Sequence, residues 1–186
     1  PPPNSHARID DGTAVPFELV KKVFDGIPEA HRPDRIAVPH RRDYALRDDV
    51  EQIQKMPPTV GKRFATLLPA VDADGNEIAG IRLPDVAVPL ATHTGWTLRH
   101  RDIGGETQLL MFAGSTMRFA STESQRVASG DPRPSIAERY QSKDQYLARV
   151  RHEAEKLVEQ RYMLEEDIEF SVERAERFWD YLSSGE

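Results

Sequence analysis

The chain has 186 residues, a formal net charge of −6, 38% apolar residues, 30% charged residues and 14 prolines. That apolar share is below the roughly 45–50% of ordinary globular domains, so the core is modest, the surface large, and a partner surface is expected to complete its burial. The acidic balance argues against a nucleic-acid partner, the lack of cysteine excludes disulfides and thiolate chemistry, and no apolar run approaches the roughly 18 residues of a membrane span.

In chain order, residues 1–16 read as an extended linker, opened by three prolines and turned at Asp11-Gly12. The opening Pro-Pro-Pro, with no Met, leads us to expect a preceding segment. Phe17, Val20 and Phe24 share one face of a short helix, which Gly26 and Pro28 stop. Residues 28–58 hold many charges, with Ile36, Val38 and Tyr44 as isolated apolar points, and read as an irregular arm wrapped over a larger body.

From Thr59 the pattern changes. Phe64, Thr66, Leu67 and Leu68 suit a strand, and Asp72-Ala73-Asp74-Gly75-Asn76-Glu77 is a turn. Ile78, Ile81 and Leu83 suit the returning strand, which Pro84 ends. Val86 to Leu90 is a short apolar run whose Pro89 argues against a central strand. The state of Leu109 to Phe119 is ambiguous, because Gly114-Ser115 interrupts it. Residues 129–134, SGDPRP, are a clear breaker.

The last fifty residues are helical. Ser135 with Glu138, and Ser142 with Gln145, have capping-box spacing. Leu147, Val150, Ala154, Leu157 and Val158 repeat at helical spacing, and Glu165, Glu166 and Asp167 open a second helix with charge suited to its positive end. Its buried face is Ile168, Val172, Ala175, Phe178, Trp179 and Leu182.

These readings predict an α+β fold. A small antiparallel sheet covers about residues 62–97. Residues 1–58 form an extended proline-rich arm with one short helix. Residues 59–186 form a mixed region ending in two helices, 143–162 and 165–183.

Candidate chemistry is sparse. Asp72, Asp74 and Asn76 resemble a calcium loop, but glycine stands fourth rather than sixth and no Glu follows at the twelfth position, so a turn is the better reading. Ser115 lies in Ala-Gly-Ser-Thr, not in G-x-S-x-G, which the chain lacks altogether. His93 closes an apolar run in Thr92-His93-Thr94-Gly95-Trp96. A base can sit there, yet no serine elbow exists to pair with it, and a hydrogen-bonded structural histidine is the simpler reading. Thr92, His93, Thr94 and Trp96 together offer hydroxyls, an imidazole and an indole beside an apolar wall, as a pocket lining needs. His6, His31, His40, His100 and His152 are scattered, so no zinc box exists, and no cofactor motif is present. Asp48, Asp49 and Glu51 read as solvated surface. A non-catalytic module that binds a protein or ligand remains an alternative.

Several blocks together carry a resemblance: VDADGNEIAGIRLPDVAVPLATHTGW from Val71, SGDPRPSIAERY from Ser129, and then YLARV, LVEQRYMLEEDI and ERFWDYL. They resemble the C-terminal part of a large bacterial family of α/β-hydrolase domain-containing proteins, in order over nearly the whole chain. The resemblance implies an esterase-like serine hydrolase acting on a small-molecule substrate. Its nucleophile, acid and catalytic histidine would lie in an upstream hydrolase core of the same protein, and no catalytic residue maps onto this sequence. The family pattern often carries tyrosine at the place of His93, which leaves the imidazole as pocket lining.

Overall fold

A computed structural model describes residues 7–28, 30, 39–44, 55–65, 67–105, 108–110 and 112–183. Residues 1–3, His6, His31, Ile36, Val38, Asp48, Asp49, Glu51 and Thr66, singled out above, lie outside the described residues. Among the described residues there are six α-helices and four two-stranded antiparallel ribbons. This is the expected α+β fold, with an N-terminal arm and a C-terminal helical pair.

Strand β1 (Ala14–Pro16) runs directly into helix α1 (Phe17–Phe24). Two helical turns are marginal alone. Here Val20 and Phe24 are buried with Ile27 and Met117 in a small cluster that Val15, Leu68, Val71 and Trp96 border. Part of the segment read as irregular is ordered: β2 (His40–Asp43) pairs with β3 (Thr59–Arg63), an exposed ribbon. Strand β4 (Leu67–Pro69) pairs with β1, Val15 opposite Leu68.

That pairing changes the hairpin expected around the 72–77 turn. Because β4 takes β1 as partner, the returning segment makes one bridge, Val71 to Glu77, and a bond from Ile78 N–H to Ala70 O of 3.1 Å. Ile78, Ile81 and Leu83 stay exposed, and Pro84 opens helix α2 (Pro84–Ala87), where its missing N–H costs nothing.

Strand β5 (Ala91–Thr94) follows the apolar run, and β6 (Thr97–Leu98) pairs with β7 (Leu109–Leu110). Strand β8 (Ser115–Arg118) returns along β5, with His93 opposite Thr116 and Thr92 opposite Met117. Gly114 sets where the Leu109–Phe119 stretch breaks, since a Cβ there would stand 2.2 Å from Thr94 O.

Helices α3 (Glu123–Ser129) and α4 (Ile136–Arg139) are short. Helix α5 (Lys143–Glu159) starts where Ser142 Oγ accepts the Gln145 N–H at 3.1 Å, and α6 (Asp167–Ser183) packs against it. Their facing residues Tyr146, Val150, Ala175 and Leu182 join Val88, Leu90, Phe119, Ile136 and Tyr140 in the main core. Tyr146 stacks on Trp179 with ring centroids 5.1 Å apart. The two helices therefore share a core with Leu90, just before β5, and Phe178 of α6 reaches the His93 ring.

Candidate functional site

The 72–77 turn is built by its own side chains. Asp72 Oδ1 accepts the N–H groups of Asp74 and Asn76, both at 3.0 Å, and Asp72 Oδ2 accepts Arg82 Nη2 at 2.8 Å. Asn76 is fully buried: its Nδ2 donates to Ala91 O at 3.2 Å and its Oδ1 accepts the His93 N–H at 2.8 Å. One amide thus stands in for a neighbouring strand along β5, satisfying backbone groups that burial would otherwise strand. Gly75 lies against Thr92, so a Cβ would meet Thr92 Cγ2 at 2.9 Å, and its φ of +81° suits glycine.

The carboxylates face guanidinium groups. Asp74 is held bidentate by Arg139, with Nη1 to Oδ2 at 2.8 Å. With Asp72 on Arg82 and the Asn76 oxygen on β5, these three groups hold the turn itself. Among the described residues there is no group of three His, Cys, Asp or Glu side chains arranged for a metal ion.

On the other side stands a buried pair. Arg133 is 1% exposed and Asp131 5% exposed. Arg133 Nε and Nη2 donate to the Asp131 carboxylate at 2.9 and 2.6 Å, Nη1 donates to Thr92 Oγ1 at 2.8 Å and Met117 O at 3.0 Å, and Nη2 donates to Arg118 O at 3.1 Å. A buried ion pair is tolerable when its remaining donors find partners, as here. These contacts bind the 129–134 loop to both β5 and β8. The sequence shows only a breaker there; an arginine between two prolines carries no periodic signal of burial. Next to it, the Ser135 N–H and O–H both donate to Glu138 Oε2, at 2.8 and 2.7 Å. Those bonds, with Arg126, hold the Glu138 carboxyl down at about 2.

Thr92, His93, Thr94 and Trp96 do not share one face. Thr92 and Thr94 are buried and alternate with His93 along β5. Thr92 Oγ1 donates to Asp74 O while accepting from Arg133. Thr94 Oγ1 donates to Trp96 O at 2.5 Å and accepts the Ser115 N–H at 3.1 Å. His93 is half-buried, its ring centroid 6.3 Å from that of Phe178 on α6. Its Nδ1 lies 3.4 Å from Thr116 Oγ1, and its Nε2 is buried with no hydrogen-bond partner among the described residues. Burial lowers its pKa, which favours the neutral ring. Trp96 packs edge-on against Phe24 at 5.5 Å. Ser115 Oγ donates to Thr97 Oγ1 at 2.9 Å. Burial also raises the pKa of Glu77.

With this geometry in view, residues 23–173 match the model of a protein family described as an alpha/beta hydrolase domain. No curated protein and no solved structure matches the chain.

Proposed function

Since the chain belongs to this alpha/beta hydrolase domain family, we propose that it is the C-terminal portion of an esterase-like serine hydrolase whose triad lies in the preceding core. In the whole enzyme a serine attacks the ester carbonyl, a histidine takes its proton, and backbone donors hold the oxyanion. This chain covers that core. Of the four residues read as pocket lining, Thr92 and Thr94 hold β5 in place, and the half-buried His93, beside Phe178, and Trp96, beside Phe24, line separate parts of a substrate wall.

The match over residues 23–173 carries the reading. Two further observations favour it. The Ser115 hydroxyl and the His93 imidazole sit on paired strands but bond to Thr97 and Thr116 rather than to each other. Large apolar side chains are also left uncovered, among them Phe112 at 99% and Met56 at 73% exposed. Covering such side chains with another surface would be favourable.

Dye binding and sedimentation of the isolated chain test the covering role. Bright binding of an apolar dye, with concentration-dependent self-association, is expected. A compact monomer that ignores the dye would instead favour a free-standing, non-catalytic binding module.

A further inference from the structure

A cavity of about 700 Å³ lies between the 72–77 turn, α2 and the exposed flank of α5, and none of Thr92, His93, Thr94 or Trp96 lines it. Its size is that of a small-molecule site, roughly 300–1,000 Å³. Val88, Pro89 and Tyr140 supply apolar wall, and the Tyr140 hydroxyl is turned to its own chain, donating to Pro89 O at 2.9 Å.

Three carboxylates and three arginines line the cavity, but they do not all pair with one another, since Glu153 turns to Lys156 outside the lining. Asp72 is paired with Arg82, Asp74 with Arg139, and Glu153 with Lys156, each with a contact of 2.8 Å. Arg149 is left. Among the described residues it makes no ion pair; its guanidinium carbon sits 5.5 Å over the Tyr140 ring. Two further groups add to this. Arg82 Nε is buried with no hydrogen-bond partner among the described residues. His152 stands one turn further along α5 from Arg149, also on the cavity lining.

We propose that this cavity binds a small organic carboxylate, Arg149 taking the carboxylate and the Tyr140, Val88 and Pro89 wall taking an apolar body. A guanidinium fork matches a carboxylate with two parallel N–H donors. A phosphate dianion calls for a second unpaired cation, and Arg82 and Arg139 are already neutralised. The proposal does not depend on the hydrolase reading, since the cavity is formed by this chain alone.

The test is titration of the full chain with 3-phenylpropionate, followed by backbone amide NMR shifts at Ala87, Val88 and Tyr140. Saturable binding is expected with a Kd on the order of 1 mM, as suits so small a ligand. The neutral 3-phenylpropionamide and the Arg149→Gln variant should each weaken it by about tenfold or more. Among the described residues Arg149 has no ion pair to lose, so that variant should keep its fold, which circular dichroism checks. Ala148→Leu, which fills the cavity without touching charge, should also abolish the shifts. Three results would each overturn the proposal: no saturable shift at these amides, equal binding by the amide or by Arg149→Gln, or tighter binding of phenyl phosphate than of the carboxylate.

Discussion

Arg133 Nη1 donates to Thr92 Oγ1 at 2.8 Å, joining the 129–134 loop to β5 across 41 positions of sequence. The same guanidinium holds Asp131, so one side chain fastens a proline-bounded loop, two paired strands and the 72–77 turn beyond them. Arg133→Met should therefore leave Asp131 buried and unpaired, and cost about 3–5 kcal/mol of stability. Urea unfolding of the variant checks this. A loss under about 1 kcal/mol, as for an exposed pair, would show that the pair does not organise the strands.

Gly75 stands where a Cβ would reach Thr92 Cγ2 at 2.9 Å, at a φ of +81°. Gly75→Ala should cost about 1–3 kcal/mol from backbone strain and overlap together. Adding Thr92→Ser removes the methyl and keeps the hydroxyl bond to Arg133. Thermal melts should show the double variant recovering part of the loss; the part not recovered combines backbone strain, the 3.3 Å approach to Ile27 Cδ1 and the lost Thr92 methyl.

Those two sites show unevenly how far sequence reading reaches. The helical pair was legible, because Val150, Ala154, Leu157, Ala175 and Leu182 repeat at helical spacing and all prove buried. The turn at 72–77 was legible from Asp, Gly and Asn. Its consequences were not: β4 pairs with β1, some fifty residues earlier, and such non-local pairing leaves no local pattern. Asn76 and Arg133 read as ordinary turn and breaker residues, because polar residues buried by tertiary hydrogen bonds look like surface in a sequence. The break at Gly114 was visible, but the state on either side of it depended on contact with Thr94 O. At the candidate site, the alternation of Thr92, His93 and Thr94 follows from a strand's period of two, whereas proximity in sequence alone does not say which side each residue takes.

Burial gives His93 and Glu77 opposite pH dependences. The folded-state pKa of His93 lies below its ordinary 6.5, so the folded chain favours the neutral ring. Its contribution to stability is present above that value and is lost as pH falls toward the folded-state pKa. The folded-state pKa of Glu77 lies above its ordinary 4.5, so its contribution is present below that value and lost as pH rises through the folded-state pKa. Denaturant unfolding at about pH 7.5 and about pH 5 separates them. His93→Gln should lose less stability than the parent on acidification, whereas Glu77→Gln should gain on the parent at the higher pH. An unchanged pH slope in His93→Gln would show that its ring is not desolvated.

The proposal that bond-breaking belongs to a preceding core, with this chain as its cover, is tested most directly by steady-state hydrolysis of 4-nitrophenyl acetate by the purified chain. The expected rate is that of a protein without a triad: slow, unsaturable, and the same in Ser115→Ala and His93→Ala. Saturable turnover that stays with the chain through purification and disappears in either variant would contradict it.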